Sequence, residues 1–328
     1  MSDWNNWLVF DILGDMCFGR SFDIKEPKPN PIRIVPNLVI SHVQMVYPIL
    51  QSPFMKFYVW AKPRGLNYLF NMMAPEEIRA YYKFINDSDP VTGEGYSEVA
   101  LRGEAVLLIV AGSDTTSSTL SGFWFYISRN VNAYQRLTSE IRSTFKLCDE
   151  IKIGSKLSSC TYLYACIDEA LRITPSGPSD FPREVLSGGT NIDGEYFPEG
   201  TIVGCSHWSM SRNEHIYGDP NRFRPERYIP SEATGVTVEQ VNELKSYYQP
   251  FLIGPTNCAG KNIAMTELAI IIAKTLFALD LRSVPGEDLG AGHPSQGWGK
   301  RDKNQYQIVD VYITVHEGPM VQFRKRSV

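Results

Sequence analysis

Apolar residues recur at helical spacing along most of this chain and give way to strand-like runs in two places. Over residues 1–23, Trp7, Phe10, Leu13 and Phe18 suit a helix, weakened at Gly14 and Gly19. Pro27, Pro29, Pro31 and Pro36 exclude a helix in the next stretch. From Leu38 to Met73 a helical, strongly aromatic pattern resumes, which suits either a core or a membrane-facing surface. Asp87, Asp89, Pro90, Gly93 and Gly95 mark a loop, and Ser97 then offers a cap for a long proline-free helix from about Glu98 to Ser128. Leu137, Ile141 and Phe145 fall at four-residue spacing and predict a helix over Ala133 to Phe145. A further helix is expected from Tyr162 to Ile173, stopped by Pro175, and another from Asn262 to Leu279.

The period shortens over residues 181–205, where Gly188, Gly189, Gly194 and Gly200 separate short runs such as Thr201-Ile-Val, the pattern of a small sheet. Near the end, Tyr306 to Val315 alternates, and Glu317-Gly-Pro is expected to turn it back into Met320 to Phe323 as a hairpin. No internal repeat and no low-complexity segment interrupts this order. The fold class is therefore mainly α with a minor β region.

Composition narrows the picture. Of 328 residues, 43% are hydrophobic and 21% charged, which rules out disorder as the main state and allows one large domain or two. The net charge of −4, with no run of Lys/Arg before the short tail Arg324, Lys325, Arg326, argues against nucleic acid as a partner. Six cysteines form no CxxC pair and no dense disulfide framework, so a reducing compartment fits best. Cys17, Cys166 and Cys205 lie in apolar stretches and are expected in the core. The histidines make no zinc-type pair, and Asn86-Asp-Ser, though a glycosylation sequon, is read as a chance match. Glu104, Asp114, Glu267 and Lys274 break the longest apolar runs, so none is expected to cross a bilayer.

Three segments carry candidate chemistry. In Phe251-Leu-Ile-Gly-Pro-Thr-Asn-Cys-Ala-Gly-Lys, Cys258 stands just before a helix, whose unpaired N–H groups and positive end favour a thiolate, a good iron ligand. Gly254 and Gly260 allow a tight turn and the approach of a flat cofactor, although a structural cysteine in a turn would look the same. In Ala111-Gly-Ser-Asp-Thr-Thr, in mid-helix, Gly112 opens a gap, Thr115 can bond its own helix carbonyl, and Asp114 can relay a proton; the alternative is a solvent-facing polar stretch. Glu169 and Arg172 are three residues apart on one helical face, and Arg227 in Phe223-Arg-Pro-Glu-Arg-Tyr could complete a buried network with them. As an exposed pair, Glu169 and Arg172 would contribute almost nothing.

In this order the segments resemble the cytochrome P-450 superfamily of haem-thiolate monooxygenases, and look most like fungal members of microsomal type. Phe10-Asp-Ile-Leu-Gly-Asp-Met-Cys-Phe-Gly and the Arg-Asn-Glu to Gly-Asp-Pro run from Arg212 to Arg227 add to the likeness, which extends over the whole chain. The resemblance implies a single domain over residues 1–328, with Cys258 as proximal ligand of haem b and Phe251 shielding its sulfur. It implies Gly254 and Gly260 as the glycines of the ligand loop, and Ala111 and Gly112 as the lining of an oxygen groove. Asp114 and Thr115 would deliver protons to bound dioxygen, and Arg183 would hold a haem propionate. Glu169, Arg172 and Arg227 would lock the ligand-side core as a structural triad. Leu108, Ile109 and the segment after Pro175 occupy positions that tend to line the substrate pocket in relatives.

The implied reaction inserts one oxygen atom of O2 into an apolar organic substrate, in secondary metabolism or detoxification, with electrons from NADPH through a separate reductase. Two departures qualify it. Thr256 stands where the family's ligand loop usually has a basic residue, and Met1 begins after the family's membrane anchor, first helices and part of its larger sheet. The expectation is therefore a truncated P-450 fold, with a catalytically inactive remnant as the alternative. Location at the endoplasmic reticulum membrane follows from the resemblance, and cytoplasmic location from the absence of an anchor; membrane association would rest on missing or peripheral segments.

Overall fold

The computed structural model describes residues 1–18, 21–36, 93, 95 and 97–326. The expected helix over Leu38 to Met73 and the Asn86 sequon lie outside the described residues, as does the side chain of Cys17. The chain divides into two compact units, residues 1–117 and 118–328.

In the first unit, helix α1 (Ser2–Phe18) presents Val9, Phe10 and Leu13 to the interior. The chain after it folds back because the buried Asp11 carboxylate accepts the backbone N–H groups of Ile24 (3.0 Å) and Lys25 (3.1 Å) and pairs with Lys25 Nζ at 3.2 Å. Ile24 thereby joins Phe10 and Val35 in a small core, with Trp7, Phe22 and Ile109 against it. Arg33 closes the segment by donating to the Ile24 carbonyl (2.8 Å) and lying over the Trp7 ring.

The long helix α2 (Glu98–Arg129) begins in the first unit and ends in the second, where Leu120, Phe123, Trp124, Phe125 and Ile127 are buried. Helix α3 (Val131–Thr144) follows at once because Asn130 caps it, its side chain accepting the Ala133 N–H. Helix α4 (Thr161–Ile173) is capped from outside: Glu140 of α3 accepts the N–H groups of Tyr162 and Leu163, both at 2.9 Å. A carboxylate at that end also meets the positive end of the helix dipole. A side chain at Gly122 would place its Cβ 2.5 Å from Thr174 Oγ1, so the glycine is what lets α2 approach the end of α4.

The region 181–205 forms two separate two-stranded ladders instead of one small sheet. Strand β1 (Arg183–Glu184) pairs with β4 (Ile202–Val203), and β2 (Thr190–Ile192) with β3 (Glu195–Phe197), all antiparallel. Such ladders bury little, which corrects the expectation for Cys205: just past β4 it is exposed, whereas Cys166 in α4 is buried. Helix α5 (Val238–Tyr247), which the periodicity did not single out, starts at a capping box formed by Thr237 and Gln240. Helix α6 (Lys261–Ala278) packs against α3 and α4 and leads directly into strand β5 (Leu279–Ser283).

The C-terminal hairpin differs from its expectation. The alternating run folds on itself, β6 (Ile308–Val311) against β7 (Ile313–His316), with Tyr312 at φ 80° in the turn. Strand β8 (Val321–Lys325) pairs with β5, from Leu279 opposite Lys325 to Ser283 opposite Val321. Paired on the β5 edge, Phe323 reaches the ring of Trp124, at 5.8 Å between centroids. Alternation specifies a face, not a partner, so this pairing was not readable locally.

Candidate functional site

The segment before α6 owes its shape to two positions in left-handed backbone, Leu252 (φ 59°) and Gly254 (φ 68°). Glycine carries no penalty there. The turn is then closed by main-chain bonds: Cys258 N–H to Phe251 O (2.8 Å), Asn257 N–H to Gly254 O (3.0 Å) and Lys261 N–H to Cys258 O (3.3 Å). Gly260, at φ −82°, needs no glycine for its backbone; a Cβ there would lie 3.8 Å from Cys258 Sγ, so its role is room beside the sulfur. Cys258 itself is exposed and Phe251 half-buried, with Lys261 Nζ over the Phe251 ring. Ile253 and Ile263 flank the turn with large apolar side chains open to solvent, at 69% and 46% exposure. Thr256 is also exposed, and its hydroxyl donates to Ile253 O.

On α2, in the first unit, Thr115 Oγ1 donates to the Ala111 carbonyl at 2.7 Å, and Ser113 Oγ makes the same i−4 bond to Ile109 O. The Thr115 bond is the one expected from the sequence, while the Ser113 bond was not singled out. The gap expected at Gly112 is filled: a Cβ there would be 2.8 Å from Leu13 Cδ1, so the glycine admits α1. Asp114 Oδ2 is enclosed with no hydrogen-bond partner, and burial pushes its carboxyl up to about 7. Of the residues expected to line a pocket, Leu108 is exposed while Ile109 packs on the Phe10 core.

In the second unit Glu169, Arg172 and Arg227 come together and are buried. Arg172 binds both carboxylate oxygens of Glu169 at 2.8 Å, and Arg227 Nε reaches the same carboxylate at 3.2 Å. The Arg224 N–H adds a fourth donor at 2.8 Å. Arg172 further donates to the carbonyls of Ser211 and Pro220, and Arg227 to that of Tyr217, so the network clamps the 211–227 segment onto α4. Burial opposes the Arg172 cation, and the Glu169 carboxylate more than reverses this, holding the guanidinium above its ordinary range. Arg183 is exposed in β1, its Nη1 donating to the Phe181 and Pro182 carbonyls at 3.0 Å.

One residue of this region was missed. Glu267 on α6 is buried, its Oε1 has no partner, and burial pushes its carboxyl up to about 7. Its only signal in the sequence is an acid interrupting an apolar helical run, which equally describes a solvent-facing residue.

The donors fit an iron porphyrin in kind. Among the described residues no three His, Cys, Asp or Glu side chains gather to hold a bare metal ion. The accessible Cys258 thiol would suit an iron whose other ligands a macrocycle supplies, and exposed Ile253 and Ile263 offer apolar surface beside it. No helix among the described residues is long and apolar enough to cross a membrane.

Comparison with known proteins agrees with the sequence resemblance. The cytochrome P-450 monooxygenase apf7 of Gibberella fujikuroi is 33% identical over all of this chain and 65% of its own length. AKT7 of Alternaria alternata, also a cytochrome P-450 monooxygenase, is 31% identical over 99% of this chain and 66% of its own length. For the cytochrome P-450 monooxygenase lcsN of Purpureocillium lilacinum the identity is 34%, over 99% of both chains. The chain thus spans just under two thirds of the length of the first two relatives. A sequence model of the cytochrome P-450 family matches residues 1–296, and the chain belongs to that family.

Proposed function

We propose that this chain carries the haem-thiolate site of a monooxygenase, with Cys258 as iron ligand and Asp114 and Thr115 as the pair that handles protons. The observation that most supports this is the Cys258 turn: an accessible thiol, on backbone fixed from both sides, as the lone sulfur donor three residues before an 18-residue helix. When bound, haem supplies activation of O2, one oxygen atom going to an organic substrate and the other leaving as water.

The protein's own residues do the rest. Phe251 would shield the sulfur, and Gly254 and Gly260 keep two positions of the turn without side chains. Arg183 offers guanidinium N–H groups to a haem propionate in the forked geometry that suits a carboxylate. Asp114, near half-protonated at neutral pH, can hold a proton at Oδ2 and release it without a large penalty either way. Thr115 Oγ1 both donates and accepts, as passing a proton on requires. Ala111 keeps its position on α2 small, whereas the space at Gly112 is taken by Leu13. Glu169, Arg172 and Arg227 hold the 211–227 segment on α4, against which α6 packs. Exposed Leu107 and Leu108 on α2 support an apolar organic substrate. Electrons would come from NADPH through a separate reductase, at the endoplasmic reticulum.

A second reading, a chain that holds haem weakly or not at all, is favoured by Thr256, which puts a hydroxyl where the family pattern has a cation. The reduced, carbon monoxide difference spectrum of the haem-supplemented chain separates the two. A strongly red-shifted Soret band in the wild type, lost in a folded Cys258→Ala variant, is the expected result. No haem uptake would favour the second reading, and a red-shifted band surviving in Cys258→Ala would overturn the ligand assignment.

A further inference from the structure

Between β5 and β6 the chain forms a long loop whose middle is ordered by its own backbone. His293 N–H donates to Lys300 O (2.9 Å), Gln296 N–H to His293 O (2.9 Å) and Lys300 N–H to Gly297 O (3.1 Å). Arg301 Nε fastens back to Gln296 O at 3.1 Å. A Cβ at Gly292 would stand 2.4 Å from Asp302 O, so the two arms run too close for a side chain. This turn holds Trp298 out at 94% exposure, between Gly297 and Gly299, the latter at φ 80°. An indole left in water by an ordered turn is unfavourable surface that folding has not relieved.

Lys300, Arg301 and Lys303 follow it, all exposed, and none pairs with a carboxylate among the described residues. Asp302 is the one acid among them, and its Oδ1 accepts the Asn304 N–H; Glu287 and Asp288 stand at the start of the loop. The tip therefore sets one amphipathic ring beside three unpaired cations, on a chain whose net charge is −4. The attraction this tip offers to anions is therefore local and not a property of the whole chain.

We propose that residues 297–303 are a peripheral contact for an anionic lipid surface, with Trp298 entering the headgroup layer and Lys300, Arg301 and Lys303 meeting lipid phosphates. Charge complementarity selects the anionic partner, and the shape of the tip selects lipid over protein. A stable protein partner needs roughly 800 Å² on each side with a packed centre. One ring flanked by glycines offers no such patch. A bilayer interface, in contrast, takes up single indoles, whose body is apolar and whose N–H stays wet, and it adds attraction for each nearby cation. The inference does not depend on haem.

The test is co-sedimentation of the full chain with phosphatidylcholine vesicles, with and without phosphatidylserine, read together with quenching of tryptophan fluorescence by brominated lipid. Binding is expected only with phosphatidylserine, and should weaken as salt is raised. Replacing Lys300, Arg301 and Lys303 by Ala should reduce it by roughly fivefold per cation. Trp298→Ala should weaken binding, and Trp298→Phe should keep binding but lose the quenched component. All four positions are exposed, so circular dichroism should be unchanged in each variant. The proposal is overturned if wild type ignores anionic vesicles, if the variants bind as well as wild type, or if the tip instead captures an acidic protein in the absence of lipid.

Discussion

Glu169 is the residue on which most depends, because both of its oxygens are engaged and both guanidinium groups that bind it are buried. Glu169→Gln leaves two guanidinium groups without their counter-charge in a dry place, and should lower unfolding free energy by about 3–5 kcal/mol in denaturant titration. A loss under about 1 kcal/mol would mean the arginines are stabilised by carbonyls alone. Glu267 works in the opposite sense. Its carboxyl titrates at about 7 in the folded chain against an ordinary 4.5, so the folded state binds more protons than the unfolded one between those values. Stability is therefore fullest below about pH 4.5 from this group, falls as pH rises to about 7, and stays lower above. Glu267→Gln should flatten that slope and add about 1–3 kcal/mol at about pH 8, which melts at several pH values would reveal. Spacing on one helical face made Glu169 and Arg172 legible as a pair, while Arg227, far away in sequence, could be joined to them only as a possibility and by resemblance. Burial of Glu267 and exposure of Cys205 were not legible, since both follow from what neighbouring elements cover.

At the scale of elements, the period of apolar residues carried most of the information. Helix α6 was expected from Asn262 to Leu279 and runs Lys261–Ala278; α4 was expected from Tyr162 and starts one residue earlier. What periodicity cannot show is the partner of each face. The missed helix α5 did have a local sign, the reciprocal Thr237 and Gln240 cap, but its short apolar pattern hid it. The pairing of β5 with β8 had none. Close helix approach is similarly silent in sequence, and Gly122 tests it: Gly122→Ala drives a methyl into Thr174 and should cost about 1–3 kcal/mol. Because Thr174 Oγ1 is buried without a partner, the Gly122→Ala, Thr174→Ala double variant should recover part of that loss. Equal melting of single and double variants would place the strain elsewhere.

For the whole molecule, the last strand of the second unit is fastened to its interior by one ladder. Strand β8 completes β5, covers Leu281 and sends Phe323 to the Trp124 ring of α2, so the last residues belong to the core that carries α6. A chain ending at Pro319 should melt several degrees lower and expose a bare strand edge prone to association, measurable by calorimetry and light scattering. Unchanged melting would mean that β8 is an ornament. The same ladder makes residues 284–320 a closed loop, anchored at both feet. Doubling the length of such a loop costs only about 0.6 kcal/mol in closure entropy. Insertions and deletions between the feet can therefore accumulate in descendants of this sequence while the Cys258 turn stays where it is, and the surface of the molecule is free to diverge faster than its chemistry.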